Sequence, residues 1–260
     1  MPLQLLLAIV FGLFVAVLSY VVRFLTASGA LATFLLAVLV LGLGGWQWTV
    51  PILTFFVASS VLSKVGGSRK AQFDLLFEKS SRRDWGQVLA NGGVAGILVI
   101  LSSMNPLYDL YPLYLGAVAA VTADTWGTEI GLLSKGATVS LPTFKPVDRG
   151  TSGGVSEIGL LGGILGAVAI ALSGYYWYAD DQTAIVVVIA GAVGSLVDSV
   201  LGGTMQGQYR CAVCGKLTER RFHCRQAASR VRGLAWMNND VVNGACSLAG
   251  ALTAWVLTLV

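Results

Sequence analysis

Two aspartates pose the chemical question in this chain. Asp124, in "ADTWGTEIG", and Asp198, in "DSVLGGTMQG", each close a run of apolar and small residues, although only 12% of the residues are charged. Burying a carboxylate in apolar surroundings costs several kcal/mol unless it is paired, wet or bound to a metal. Each aspartate is followed by Ser or Thr and shortly afterwards by glycine. The expectation is a helix that unwinds just past its carboxylate, where glycine lets the backbone approach a ligand closely. A helix C-terminus disfavours an anion, so the macrodipole accounts for neither residue. Glu129 follows Asp124, and "NNDVVNG" adds Asp240 flanked by Asn239 and Asn243. Hard oxygen ligands from several segments suit Mg²⁺, which takes one or two carboxylates and leaves the rest of its shell to water and substrate phosphates. Asp124, Glu129, Asp198 and Asp240 are therefore expected to converge as the metal-holding, catalytic group.

A complementary anion site is written in "KPVDRGTSGGVSEIG". Lys145 and Arg149 precede Gly150, Thr151, Ser152, Gly153 and Gly154, and a helix is expected to start soon after. Successive backbone N–H groups in such a turn, leading into a helix N-terminus, bind phosphate, and the cations and hydroxyls add charge and donors. No Gly-Lys-Ser/Thr closes the loop, so it is not a Walker A sequence. The alternative is a flexible loop with a serine cap. Asn91, Asn239 and Asn243 join the expected phosphate- or nucleotide-binding set. Asn91 and Gln87, in "GQVLANGG", either hydrogen-bond phosphate or ribose or make a polar contact between helices.

The cysteines read separately. "CAVCGKLTERRFHC" sets Cys211 and Cys214 at C-x-x-C spacing, followed by His223 and Cys224. In a cytoplasmic loop, where disulfides are disfavoured, this predicts a structural zinc knuckle. Adjacent His223 and Cys224 do not easily reach one metal, so the fourth ligand stays open, and reduced thiols in a basic loop are the alternative. Arg210, Arg220, Arg221, Arg225, Arg230 and Arg232 either clamp a triphosphate or mark the inner leaflet.

These groups must be positioned within a membrane. Hydrophobic residues make up 55% of the sequence and the mean hydropathy is +0.75, with apolar stretches of about 17 to 20 residues recurring along the chain. The fold class is an all-α polytopic membrane protein of about eight transmembrane helices. The spans lie within Leu3–Ser19, Gly29–Leu43, Val50–Ser63, Gly86–Ser102, Leu113–Trp126, Ile158–Gly174, Ala184–Leu201 and Val241–Val260. Residues 1–260 read as one integral membrane domain, with 203–236 a cysteine-containing loop inside it. The 32 glycines, many in settings such as "GLLGGILGA", predict close helix packing. "AQFDLLFEK", with Phe73, Leu76 and Phe77 on one face, predicts an interfacial helix. If the chain alternates through the spans, all 17 Lys and Arg fall on one side. That side is cytoplasmic by the positive-inside rule, and the active-site loops lie on it.

The blocks "ADTWGTEIG", "RGTSGGVS", "RRDWGQVLANGGVAG", "GSLVDSVLGGTMQGQYRC" and "NNDVVN" resemble those of the transmembrane protein 19 family, also called the domain of unknown function 92 family. The resemblance runs from about Ala30 to about Ala251. That family includes the phytyl-phosphate kinase of plant and cyanobacterial vitamin E synthesis. The likeness implies a kinase that converts an isoprenyl monophosphate to the diphosphate, with CTP or another nucleoside triphosphate as donor and Mg²⁺ as cofactor. It implies a cell membrane, or a thylakoid or plastid-type membrane in a photosynthetic organism, and no nucleic-acid partner. A monophosphate acceptor is already anionic near neutral pH, so no base is needed to activate it. The chain's one histidine, His223, lies in the cysteine cluster. Two other classes use similar parts: a nucleotidyltransferase forming a CDP-lipid, and a transporter or flippase for a lipid phosphate.

Overall fold

The computed structural model of the protein describes residues 2–70, 73, 77 and 82–259. The chain runs α1 (Pro2–Val21), α2 (Ala27–Leu39) with a π-helical extension (Val40–Gly44), α3 (Gly45–Lys64), a single turn α4 (Gly67–Lys70), α5 (Trp85–Met104) and α6 (Tyr111–Leu133). A β-hairpin of β1 (Val139–Ser140) and β2 (Gly154–Val155) leads into α7 (Glu157–Tyr178) and α8 (Asp181–Thr204). A small β lobe follows, β3 (Gln208–Arg210), β4 (Leu217–Thr218), β5 (Phe222–His223), β6 (Gln226–Ala227) and β7 (Ser229–Arg232), before α9 (Asn239–Thr258). The interfacial helix expected over 71–79 falls outside the described residues, apart from Phe73 and Phe77.

Six helical stretches are long and apolar enough to cross a membrane, with Ala27–Lys64 counted as one stretch of 38 residues. That stretch is a hairpin. Gly45 adopts φ +72°, a left-handed conformation that favours glycine, and reverses the chain. Lys64 Nζ then donates to the carbonyl of Val22 beside the start of α2. Helix α6 is long enough to cross but less apolar, because its last turns carry Asp124, Thr125, Thr128 and Glu129. Splitting the hairpin and adding α6 recovers the eight expected long helices.

Small residues place α6 at the centre. Ala117, Val118, Ala119, Ala120, Val121 and Ala123 are buried, and α6 packs against α3, α5, α7, α8 and α9. Backbones approach closely where glycine allows it. A Cβ on Gly250 would stand 2.3 Å from the Gly116 carbonyl oxygen, and one on Gly163 2.9 Å from that of Ala123. No hydrophobic drive exists between helices in lipid, so this close packing is what holds them. Helix α1, by contrast, exposes Leu3, Leu6, Val10, Phe14 and Val17 along its outer face, as a lipid-facing helix must.

The two ends of the bundle differ. At one, Trp48, Tyr111 and Tyr114 form an aromatic cluster, with Tyr114 donating to the Trp48 carbonyl. At the other, the basic segments meet: Arg83 N–H donates to the Phe24 carbonyl, Arg149 donates to the Ser134 carbonyl, and Arg220 Nε donates to the Phe77 carbonyl at 2.7 Å. The β lobe rises from this basic end. Its neck is pinned to the end of α8 by Leu234 N–H to the Met205 carbonyl at 2.8 Å and Gly207 N–H to the Met237 carbonyl at 3.0 Å.

Candidate active site

A cavity of about 480 Å³ opens at the basic end, walled by α5, α6, α7, α8, the 149–156 loop and the start of α9. Asp124 and Asp198 face each other across the α6–α8 interface, their carboxyls within hydrogen-bonding reach. Neither has an ion-pair partner among the described residues, and Asp198 Oδ2 is buried with no donor there. Neither helix unwinds past its aspartate: α6 continues to Leu133 and α8 to Thr204. The glycines that suggested unwinding serve packing instead. Gly127 lies against the Gly159 carbonyl of α7, and Gly203 lies under Gly153 of the loop.

Glu129 also reaches the cavity, but protein groups occupy it. Ser63 Oγ donates to Oε1 and Lys70 Nζ to Oε2, each at 2.5 Å. Glu129 thus reads as one half of a buried ion pair rather than a metal ligand. Asp240 is absent from the cavity wall while Asn239 and Asn243 line it. Positions i and i+4 share a helix face, and the residue after the first is turned about 100° away.

The glycine-rich loop supplies the opposite wall. Gly150 and Gly153 both have φ +80°, and the N–H groups of Gly150, Ser152 and Gly153 donate to no backbone carbonyl among the described residues. Left-handed turns with free N–H groups make anion-binding concavities. Ser152 Oγ donates to Gln206 Oε1 at 2.8 Å, which ties the loop to the neck of the β lobe. Arg149 lines the same cavity and stacks its guanidinium 6.0 Å from the Phe73 ring centre. Lys145 is exposed and outside the cavity. Its carbonyl accepts from Ser140 N–H at 2.9 Å, and this pairing leaves its side chain in solvent. Ser156 caps α7 by accepting from Gly159 N–H at 3.2 Å.

Asn91 and Gln87 line the cavity from α5. Gln87 Oε1 is used in a capping box with Asp84, accepting its N–H at 3.2 Å. Sequence reasoning missed Arg83, Lys70, Gln206 and Glu219, which all line the cavity. Arg83 packs over Phe55, 5.3 Å from the ring centre, and donates to Ser60 Oγ at 3.4 Å. Burial lowers its guanidinium to about 10, an effect the Glu129 carboxylate opposes. Arg83, Gln87 and Asn91 also border a second, smaller crevice of about 70 Å³ between α1, α2, α3 and α5, walled by Phe11, Val15, Leu36, Val40, Phe55 and Phe56. An apolar crevice and a polar cavity therefore lie on either side of the same three side chains.

The long apolar helices define an integral membrane protein, with a polar cavity at its basic end. The chain belongs to the integral membrane protein DUF92 family, whose model matches residues 10–251. It is 29% identical to Protein PGR of Arabidopsis thaliana over 92% of this chain and 91% of that protein. It is 28% identical to an uncharacterized membrane protein of Methanocaldococcus jannaschii over 71% and 76% of the two chains. With the chloroplastic Protein VTE6 of Arabidopsis thaliana the identity is 27%, over 84% of this chain and 61% of the relative. No solved structure matches.

Proposed function

We propose that the protein is a membrane-embedded kinase that transfers the terminal phosphoryl group of a nucleoside triphosphate to an isoprenyl monophosphate. The observation that carries this reading is the pair Asp124 and Asp198, half-buried face to face without a cation among the described residues, opposite a glycine-rich loop with free N–H groups. Two facing carboxylates cost several kcal/mol if left charged and unpaired. The donor set is all oxygen, which fits Mg²⁺ better than a softer metal. Bound there with the nucleotide, Mg²⁺ would neutralise charge on the transferring phosphates.

The chain's own groups have distinct tasks. The N–H groups of Gly150, Ser152 and Gly153, with Arg149, bind the triphosphate oxygens and keep its chain extended toward the aspartates. Asn239 and Asn243 present one amide face to the same space. The lipid's chain lies in the apolar crevice, and Arg83, which borders both spaces, holds its monophosphate with Asn91 beside it. An acceptor phosphate oxygen attacks the γ-phosphorus, the bond to the β,γ-bridging oxygen breaks, and the nucleoside diphosphate leaves with that electron pair. The acceptor oxygen is already anionic, so no side chain needs to take a proton. Family resemblance in the quoted blocks supports this acceptor class. A site at one end of the bundle favours chemistry over transport, since transporter sites lie near the bilayer midplane. The positive-inside rule puts the site on the cytoplasmic face.

The test is incubation of purified protein with isoprenyl monophosphates and nucleoside triphosphates labelled at either the γ or the α phosphate. Label from the γ position in an isoprenyl diphosphate supports the kinase. Label from the α position in the lipid would instead establish nucleotidyl transfer.

A further inference from the structure

Outside the cavity, four side chains of the β lobe converge on one point. The ligand atoms of Cys211, Cys214, His223 and Cys224 all lie within 4.8 Å of one another. Cys214 Sγ is 3.6 Å and Cys224 Sγ 3.2 Å from His223 Nδ1. A tetrahedral zinc site with Zn–S near 2.3 Å and Zn–N near 2.0–2.1 Å requires ligand separations of about 3.6–3.8 Å. The Cys214–His223 edge, 3.6 Å, already has that length, and the Cys224–His223 edge, 3.2 Å, is shorter. We propose that Cys211, Cys214, His223 and Cys224 bind one structural Zn²⁺, which clamps two hairpin turns together and so fixes Glu219 and Gln206 at the mouth of the cavity.

Each turn is shaped for this task. In the first, between β3 and β4, Gly215 with φ +71° lets its N–H reach the Cys211 carbonyl at 2.9 Å, while Cys211 N–H donates to the Lys216 carbonyl at 3.0 Å. In the second, between β5 and β6, Cys224 and Arg225 both have left-handed φ, 50° and 61°. Two consecutive non-glycine residues in that region carry strain, which persists only where something holds it. Successive side chains of a strand point to opposite faces, and the left-handed Cys224 undoes this alternation. Adjacent His223 and Cys224 therefore reach one point, which resolves the difficulty their spacing raised. His223 Nδ1, and not Nε2, is the ring nitrogen that lies beside the Cys214 and Cys224 sulfurs, so Nδ1 is the nitrogen turned to the metal.

Four protein ligands leave no open coordination position, which marks the site as structural rather than catalytic. Its leverage comes from what lies between the turns. Glu219 sits on the segment joining β4 to β5 and lines the cavity, and the lobe's neck carries Gln206, bonded to Ser152 of the glycine-rich loop.

Metal analysis of full-length protein purified without chelator should find about one zinc per chain, lost in Cys211→Ser/Cys214→Ser and retained in Cys246→Ser, whose thiol lies buried in α9. Replacement of zinc by Co²⁺ should give thiolate-to-metal charge-transfer absorption. Stripping the zinc should speed tryptic cleavage between Arg220 and Arg232 several-fold with helical circular dichroism unchanged, and Zn²⁺ but not Mg²⁺ should reverse it. Purified protein without zinc, or zinc content unaffected by the double substitution, would overturn the metal site. Zinc present with cleavage unchanged on its removal would overturn the clamping role. None of these readouts depends on kinase activity.

Discussion

Asp124 of α6 and Asp198 of α8 face each other carboxyl to carboxyl, and among the described residues no cation stands between them. Glu129, one turn and a half further along α6, is treated quite differently: Lys70 and Ser63 occupy both of its oxygens. The same cavity thus holds one carboxylate paired within the protein and two that have no ion-pair partner among the described residues. Under the proposed function that contrast makes Glu129 the structural acid and the two aspartates the ligand acids.

Lys70 and Glu129 are both largely buried, with side chains 8% and 19% exposed. Removing one member of such a pair strands a charge, so Lys70→Met should destabilise the protein by about 3–5 kcal/mol. The double variant Lys70→Met/Glu129→Gln should recover much of that loss. Thermal unfolding in detergent of the two variants checks this, and an equal loss in both would remove the ion pair from the account.

Gly153 combines φ +80° with a Cβ position only 2.3 Å from Gly203 Cα. Gly153→Ala should therefore lift the loop off α8, costing about 1–3 kcal/mol and raising KM for the nucleotide. Gly244→Ala, in α9 with open space around it, should be neutral or stabilising by up to about 1 kcal/mol. Paired measurements of Tm and nucleotide KM distinguish the loop effect from a general intolerance of alanine.

Arg83 lines both the polar cavity and the apolar crevice. A charge-assisted hydrogen bond to phosphate contributes about 1.5–3 kcal/mol, so Arg83→Gln should raise KM for the prenyl phosphate roughly 10- to 100-fold. Nucleotide KM should move little. A larger effect on nucleotide than on lipid would reassign the residue.

Sidedness is tested in intact cells. A membrane-impermeant maleimide should label Asp180→Cys from outside and leave the native cysteines untouched until the cells are permeabilised. Labelling of wild-type protein in intact cells would invert the topology.

Much of the architecture was legible because hydropathy and one-sided basic residues report on the bilayer directly. The end of α6 was not: its last turns are polar because they wall a cavity, and a polar stretch in a membrane chain reads as a loop. The glycines after Asp124 and Asp198 misled for a similar reason, since glycine marks close backbone approach and unwinding alike. Asp240 belongs with the other acids by its place at the same end of a predicted span, but helical rotation keeps it out of the cavity wall that its neighbours Asn239 and Asn243 line. Glu219 and Arg83 carry no local signal at all; only the tertiary fold brings a loop acid and a pre-helix arginine to the same space. The small strands of the cysteine lobe are two to four residues long, too short to show a period-two pattern.

The central claim is that Asp124 and Asp198 together hold the Mg²⁺ of the transferring nucleotide, and a Mg²⁺ titration of phosphoryl transfer tests it most directly. Wild-type protein is compared with Asp124→Asn and Asp198→Asn, each shown to be folded by its elution as a monodisperse species. Asparagine keeps the shape and removes the charge, so both variants should lose turnover by roughly two or more orders of magnitude. Their Mg²⁺ midpoints should shift to higher concentration, with partial recovery at saturation. Near-normal turnover in both variants, with the wild-type Mg²⁺ midpoint, would contradict the assignment and leave the facing carboxyls without a role in the reaction.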